Sequence, residues 1–295
     1  FITTPRGRNH AKTMFDYAAQ RPDWFAEMLP VSATGALTPE QQADARAEYE
    51  ALYGADVGRA AYEQEYEVSF NAMVLGSFYA LEMAQVRSEG RIIADLEAFP
   101  DRPVHRAWDL GVGDDTSIWW WQAQGAQIII LDHYAASGVG VEHYRDEIFK
   151  RAEKYGWVHG TDYVPHDAKV KEFGTGRTRV ETMRMIGLSP ALVPMATIDD
   201  GINAVRRLLP LCVFHSRCEE GGISALEEYR REWDDEKKCF KNNPLHNWAS
   251  NPADSFRYLA QSYRPAPRLV PKAPPPVGWR IPPPAEPSRR GGIIL

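Results

Sequence analysis

The stretch Ala107-Trp108-Asp109-Leu110-Gly111-Val112-Gly113-Asp114-Asp115-Thr116 lies near the middle of the chain and decides its fold. A single carboxylate, Asp109, interrupts an apolar run that predicts a buried strand. Ile118-Trp119-Trp120-Trp121 follows the Gly-Asp-Asp turn and predicts a second buried strand. A carboxylate on a core strand is costly unless a cation or a hydrogen-bond donor compensates it. We therefore interpret Asp109 as the first ligand of a metal site.

The pattern around this stretch predicts an antiparallel meander followed by alternating strands and helices. Tight turns join strands at 104–112, 117–123 and 126–134. Downstream, helical and strand patterns fall at 141–155, 163–167, 178–186, 192–193, 197–209 and 211–215, with a helix face at Leu226, Tyr229 and Trp233 and a last helix from Asn251. This is the element order of an RNase H-like α/β fold, in which helices flank a mixed sheet of a three-strand meander plus parallel strands.

Composition and patterning divide the chain of 295 residues into three parts. Residues 1–90 predict mainly helices, one of them beginning at a capping box formed by Thr38 and Gln41. Residues 91–264 carry the α/β pattern. Residues 265–295 are rich in proline and arginine, and they predict an extended basic tail without a core.

The bulk properties exclude several classes of protein. The net charge is −6, so any nucleic-acid binding must come from local basic patches. No apolar run reaches membrane-spanning length. Cys212, His215 and Cys218 are candidate zinc ligands, but they lie on or beside an apolar strand and are better explained as buried structural residues.

Three carboxylates stand on elements that this fold brings together. Asp109 lies on the first meander strand, Asp167 ends the fourth strand, and Asp254 falls in the first turn of the last helix. Acids that converge in this way repel one another unless divalent cations lie between them, and Mg²⁺ or Mn²⁺ is the expected partner. Two such ions about 4 Å apart can hydrolyse a phosphodiester. Asp115, in the hairpin turn, is a weaker candidate for a fourth ligand.

Each acid also has a structural explanation. Asp254 near a helix N-terminus would stabilise the helix dipole without a metal. Asp167 and Asp115 are ordinary turn residues. Asp109 is the exception, because the strand around it is apolar.

Two nucleotide-binding motifs resemble the stretch after Asp109 without matching it. Gly111, Gly113 and Thr116 imitate a dinucleotide fingerprint, but a threonine replaces the third glycine and a strand follows in place of a helix. The same residues resemble the first phosphate loop of the actin and sugar-kinase ATPases. The second phosphate loop and the adenosine motif of those enzymes are missing downstream.

Basic residues cluster after Asp167. Lys169, Lys171, Arg177, Arg179 and Arg184 follow it closely. Because the helix dipole disfavours cations at a helix N-terminus, arginines at that position indicate a bound anion. We predict that the loop 174–179 contacts the DNA backbone. The alternative is a solvated loop.

Several segments together resemble the large terminase subunit of tailed bacteriophages, a DNA-packaging motor. Residues 2–9 resemble the coupling motif that ends its ATPase domain, and 64–70 resemble the segment that leads into its nuclease domain. Residues 108–116, 165–168 and 246–258 resemble its three nuclease motifs, and 201–206 a helix of one branch. The third motif departs from the usual pattern, since Asn247 and Asn251 stand where an acid and a histidine are common.

The resemblance implies a metal-dependent endonuclease that cuts concatemeric double-stranded viral DNA during packaging, with Asp109, Asp167 and Asp254 as its catalytic ligands. It implies Thr3, Thr4 and Asn9 as remnants of the ATPase coupling apparatus. The implied partners are the portal protein and the small terminase subunit, in a ring on the procapsid in the cytoplasm of the infected bacterium. The implied domains are the end of a motor ATPase with a helical linker (1–90), the nuclease (91–264) and the tail (265–295).

The chain contains no Walker A motif, so we expect no ATPase activity from it, and we expect the ATP-binding core to lie upstream of Phe1 or to be lost. Three alternatives remain open. A resolvase-like or transposase-like nuclease would share the fold, but it would lack the segment at Thr3 and Thr4. A non-catalytic DNA-gripping or portal-docking module would tolerate the loss of Asp109. A sugar-kinase-like ATPase would need the missing phosphate loops.

Overall fold

The computed structural model describes residues 2–4, 10–69, 76–111, 115–171, 176–234, 236 and 239–264. The predictions for Asn9, for the start of the loop 174–179 and for the proline-rich tail 265–295 fall outside these residues.

Ten α-helices and nine strands lie in the described residues. The helices are α1 (His10–Ala19), α2 (Val31–Thr34), α3 (Pro39–Tyr53), α4 (Ala55–Glu65), α5 (Ala80–Ser88), α6 (Val141–Tyr155), α7 (Arg179–Met185), α8 (Ile198–Leu208), α9 (Ser224–Glu228) and α10 (Ser250–Ser262). The strands are β1 (Ile92–Ile93), β2 (Pro103–Asp109), β3 (Thr116–Gln124), β4 (Gln127–Ala136), β5 (Val158–Val164), β6 (Pro190–Leu192), β7 (Cys212–His215), β8 (Arg231–Asp234) and β9 (Cys239–Pro244).

Seven strands form one mixed sheet in the order β1-β7-β4-β3-β2-β5-β6. The pairs β2–β3 and β3–β4 are antiparallel, and the remaining pairs are parallel. The predicted meander and the RNase H-like mixed sheet are therefore confirmed. As predicted, the strand that precedes the second acid, β5, lies directly beside β2.

The sheet buries both of its faces, which explains the nearly continuous apolar runs. On β3, Trp119 and Trp121 pack into one core cluster with α5, α8 and α10, while Ile118 and Trp120 pack into a second cluster with α6 and α7. Burial of each large side chain stabilises the fold by roughly 2–3 kcal/mol. The two opposite clusters fix the register of β3, because a slip by one residue would exchange them.

The N-terminal part is helical, as predicted, and its last helix contributes to the core. The capping box predicted for α3 is present: Gln41 N donates to Thr38 Oγ1, and Thr38 N donates to Gln41 Oε1. Tyr79, Met83 and Val86, at the start of α5 and along it, belong to the same cluster as Trp119. The domain boundaries at residues 90 and 264 stay predictions.

The segment after α9 differs from the sequence prediction. Leu226, Tyr229 and Trp233 were predicted on one helix face, but α9 ends at Glu228 and Trp233 lies in β8. There β8 pairs with β9 in a separate hairpin, in which Trp233 packs edge-on against Phe240. The i, i+3, i+7 spacing matched a helix by coincidence, because residues 231–234 are stabilised by cross-strand pairing that local spacing does not encode.

No helix in the described part of the chain is long and apolar enough to cross a membrane.

Candidate active site

The acids predicted as ligands come from three elements at one edge of the sheet. Asp109 is the last residue of β2, whose parallel neighbour β5 ends in the same direction. Asp167 was predicted to end a strand, but β5 stops at Val164 and Asp167 lies in the following 3₁₀ turn, His166–Lys169. Pro165 explains the early stop, because proline has no N–H to donate to the sheet. The helix that carries Asp254, α10, packs against β2, β3 and β5.

Asp254 lies further into its helix than the sequence predicted. The helix begins at Ser250, so Asp254 is its fifth residue and the first turn contains no acid. Asn247 explains the earlier start: its side chain accepts from Ala249 N, and its own N–H donates to Ser250 Oγ. The interpretation of Asp254 as an N-terminal dipole partner is therefore wrong.

Asp109 is electrostatically coupled to the other two acids. Burial, and then the negative charges of Asp254 and Asp167, raise the pKa of Asp109 to about 7, while the charges of Arg257 and Arg179 act in the opposite direction. No described residue donates a hydrogen bond to its carboxylate. The same three acids act on Tyr258, because its pKa is raised first by burial and then by the charges of Asp109, Asp254 and Asp167.

Asp254 is held by two side chains that were not predicted as part of the site. Arg257 forms an ion pair with Oδ1 of Asp254 through Nη2 at 2.7 Å, and its Nε donates to the same oxygen at 3.1 Å. The Tyr229 hydroxyl also donates to this oxygen, at 3.2 Å. Burial raises the pKa of Asp254, and Arg257 opposes this shift. The i, i+3 spacing of Asp254 and Arg257 on a predicted helix was the available signal for this pair.

Asp115 is placed differently from the other candidate ligands. It is exposed, and it is absent from the charges that act most strongly on Asp109. Its charge acts instead on Tyr144, across the sheet from α10. Its backbone carbonyl accepts from Asn251 Nδ2 at 2.9 Å, so the amide at this unusual motif position ties the β2–β3 connection to α10.

A buried polar network fastens α10 to the sheet below the acids. Ser117 Oγ lies 2.8 Å from Ser255 Oγ and 3.0 Å from His133 Nε2. Ser255 is the residue after Asp254, and Trp119 Nε1 donates to the carbonyl of Pro252. Burial, and then the charge of Arg151, lowers the pKa of His133 to about 3, so its imidazole is neutral at physiological pH.

The basic residues predicted to contact DNA follow Asp167 in the chain, but they differ in exposure. Lys169, Lys171 and Arg177 are exposed, whereas Arg179 is half-buried. Arg179 Nη1 donates to the carbonyl of Leu110 at 3.4 Å, and its charge acts on Asp109. Only Arg179 is therefore shown beside the acids, and the DNA contacts of all four stay predictions.

The acidic cluster has the ligand types of a metal site, but its side chains are not arranged as a complete set of metal ligands. Carboxylate oxygens are the ligands that Mg²⁺ and Mn²⁺ prefer, and the half-buried carboxylate of Asp109 accepts no hydrogen bond from a described residue. However, no group of three or more His, Cys, Asp and Glu side chains in the described residues is arranged to hold a metal ion. The guanidinium of Arg257 provides the positive charge beside Asp254.

Two other groups of predicted residues lie away from the acids. Cys212 and Cys218 are buried free cysteines, and the Cys212 thiol donates to the Leu208 carbonyl, as the structural interpretation of these residues expected. Thr3 and Thr4 are exposed, and Thr3 Oγ1 donates to the Thr4 carbonyl. The coupling role of Thr3 and Thr4 stays a prediction.

Comparison with known proteins finds relatives only among solved structures. No family model matches the chain, and no curated protein matches it. The large terminase of a thermophilic bacteriophage, solved in complex with ADP, is 14% identical, with a TM-score of 0.50 over 89% of this chain and 61% of that one. This chain therefore spans about three-fifths of the length of that terminase.

Nuclease domains of large terminases are also similar. That of bacteriophage P22 is 18% identical with a TM-score of 0.43, over 59% of this chain and 88% of that one. The g2p nuclease domain of bacteriophage SPP1 with bound Mn is 12% identical with a TM-score of 0.42, over 57% of this chain and 92% of that one. At such identities the likeness concerns the fold alone. The chain has the fold of part of a bacteriophage large terminase, with an RNase H-like sheet carrying its acidic cluster.

Proposed function

We propose that this chain is a metal-dependent endonuclease that cuts concatemeric double-stranded DNA during viral genome packaging. The observation that carries the proposal is the coupling of Asp109 to Asp254 and Asp167 at the carboxyl edge of a terminase-like sheet. Like charges gathered at one site destabilise a fold, so the coupling of Asp109 to two further acids is best explained by a cation that binds there.

Asp109, Asp167 and Asp254 would hold two Mg²⁺ or Mn²⁺ ions. When bound, these ions would activate a water molecule and stabilise the leaving oxygen of the phosphodiester. The protein's own part is to orient the acids: Arg257 and Tyr229 hold Oδ1 of Asp254, and the Ser117–Ser255 contact holds α10 against β3. Asp115 stays a weaker candidate ligand because its charge lies toward Tyr144.

Lys169, Lys171, Arg177 and Arg179 would contact the phosphates that flank the cut. Their chain position directly after Asp167, and the location of Arg179 beside Asp109, support this part of the proposal. Alanine at both Arg177 and Arg179 should weaken DNA binding and reduce the slope of log affinity against log salt by about 2. An unchanged affinity and slope would contradict the DNA contact without touching the assignment of the acids.

The test of the proposed activity is plasmid cleavage in Mn²⁺ or Mg²⁺ by the chain and by Asp109→Ala. Asp146→Ala, an exposed acid on α6, is the matched control. We expect cleavage by the chain and by the control, and none by Asp109→Ala. Equal cleavage by all three, or no cleavage with any divalent metal, would overturn the proposal and favour a non-catalytic DNA-binding module. The packaging context would be tested by binding to the portal protein and the small terminase subunit, which we propose as partners of a ring on the procapsid.

A further inference from the structure

A cavity of about 330 Å³ opens beside Asp109 on the opposite face of the sheet. Successive residues of a strand point to opposite faces, so Trp108 and Leu110 line this cavity while Asp109 faces α10. The volume lies at the lower end of the range for small-molecule sites, enough for one base with its sugar and too little for a larger cofactor. Asp109, Asp167 and Asp254 do not line this cavity.

The lining of the cavity contains more apolar than polar surface. Trp108, Val141 and Met183 contribute apolar surface, and Thr116 and Thr182 contribute hydroxyls. A planar, mostly apolar group with polar edges fits such a lining, and a nucleobase has this character.

Arg179 connects the cavity to the acidic cluster. Its side chain lines the cavity, its Nη1 donates to the carbonyl of Leu110, and its charge acts on the Asp109 carboxylate. A guanidinium is suited to a phosphate because it can donate two parallel hydrogen bonds. A ligand that extends from Asp109 across the end of β2 would thus contact the Arg179 guanidinium first and the mostly apolar cavity next.

We propose that this cavity binds the base and sugar of one nucleotide while Arg179 binds its phosphate. The inference rests on the proposed nuclease function, because the nucleotide would be the one next to the phosphate at Asp109. A base can enter the cavity only by leaving the duplex stack, as in enzymes that extrude a base from DNA. The same chemistry is present in a free nucleoside monophosphate, so the two sources need separate measurements.

The test uses 2-aminopurine, whose fluorescence rises when the base leaves a stack. A duplex with one central 2-aminopurine and the free 2-aminopurine deoxynucleoside monophosphate are titrated with the full chain in EDTA. Thr182→Trp fills the cavity, and Met185→Trp makes the same change on the exposed face of the same helix. Val139 is an exposed residue of the cavity lining, so Val139→Trp should block the cavity without altering α7. This second variant keeps the test valid if Thr182→Trp does not fold.

We expect Thr182→Trp and Val139→Trp to weaken binding of the 2-aminopurine probe about tenfold and to abolish its fluorescence change. Met185→Trp should bind the probe as the unmodified chain does. A response with the duplex alone assigns the cavity to a nucleotide of the DNA, and a response with the free nucleotide assigns it to mononucleotides as well. Equal signals from the cavity variants and the control, or no signal with either probe, would overturn the proposal. Because EDTA removes the metals, this result is independent of whether the chain cuts DNA.

Discussion

Arg257 contacts a single oxygen of Asp254 with two nitrogens: Nη2 forms an ion pair with Oδ1 at 2.7 Å, and Nε donates a hydrogen bond to it at 3.1 Å. Tyr229 donates to the same oxygen, and no described residue donates to the second oxygen, Oδ2. One oxygen therefore fixes the orientation of the carboxylate, and the other has no donor among the described residues. This division of roles suits a ligand that must be ordered before its cation arrives.

The first prediction concerns this pair. Arg257 is buried, so Arg257→Met leaves the Asp254 charge without its main partner and should lower the free energy of unfolding by roughly 2–4 kcal/mol at pH 8. The double variant Asp254→Asn with Arg257→Met should recover most of the loss. Urea denaturation of the unmodified chain, the two single variants and the double variant measures the coupling energy between Asp254 and Arg257. Arg207→Met, on the exposed face of α8, is the control. A coupling near zero would mean that solvent, rather than Arg257, compensates Asp254.

A second prediction concerns the buried ion pair that joins β2 to β5. Arg106 donates from Nε and Nη2 to the two oxygens of Asp162, which also accepts from Trp108 Nε1 and Ser189 N. Asp162→Asn removes the charge that compensates a buried guanidinium, and we expect a loss of about 3–5 kcal/mol in unfolding free energy.

This ion pair also aligns the two strands that precede Asp109 and Asp167, so its loss should reduce cleavage as well as stability. Asp146→Asn, at an exposed acid on α6, should change the unfolding free energy by less than about 0.5 kcal/mol. If Asp162→Asn is as stable as the control, then the pair is replaceable and the alignment of β2 and β5 rests on their backbone bonds alone.

The sequence predicted the parts of this fold that depend on local pattern. The apolar run around Asp109 and the tight turns predicted the meander, and the same run identified Asp109 as a buried charge. The two-residue strand β1 was missed, because Ile92 and Ile93 form a strand only by pairing with β7. Such pairing joins residues far apart in the chain and leaves no local signal.

The groups around the acids could not be predicted from the sequence, whereas the proximity of the three acids could. Their placement followed from fold topology, whereas Tyr229 and Tyr258 depend on how α9 and α10 pack. The position of Asp254 within its helix was also missed, because the capping interaction between Asn247 and Ser250 starts the helix before Asn251. Helix boundaries decided by side-chain capping several residues upstream are hard to read from periodicity.

A third prediction concerns pH. The His133 pKa is lowered to about 3 in the folded chain, whereas it is near 6.5 when unfolded, so below pH 6.5 only the unfolded chain takes up the proton. This group therefore destabilises the fold as the pH falls from 6.5 toward 3, by about 2 kcal/mol at pH 5. Glutamine cannot take up the proton, so His133→Gln should lack this part of the destabilisation at low pH.

The measurement is urea denaturation of the chain and of His133→Gln at pH 8 and pH 5. At pH 8 the variant should be less stable, because it alters the contact with Ser117. At pH 5 the difference between the two proteins should shift by about 2 kcal/mol in favour of the variant. A difference that does not change with pH would mean that His133 is protonated in the folded chain as readily as in the unfolded one.

A last prediction concerns Asn251, the only described side chain that ties Asp115 to the helix of Asp254. Asn251→Ala removes one hydrogen bond at a half-buried position, which should lower the unfolding free energy by only about 1 kcal/mol. If the β2–β3 connection helps to hold the metals, then the Mn²⁺ concentration for half-maximal cleavage should rise about tenfold, as for other residues that orient metal ligands. Asn203→Ala, exposed on α8, is the matched control. An unchanged Mn²⁺ requirement with reduced stability would assign Asn251 a structural role and would remove Asp115 from the candidate ligands.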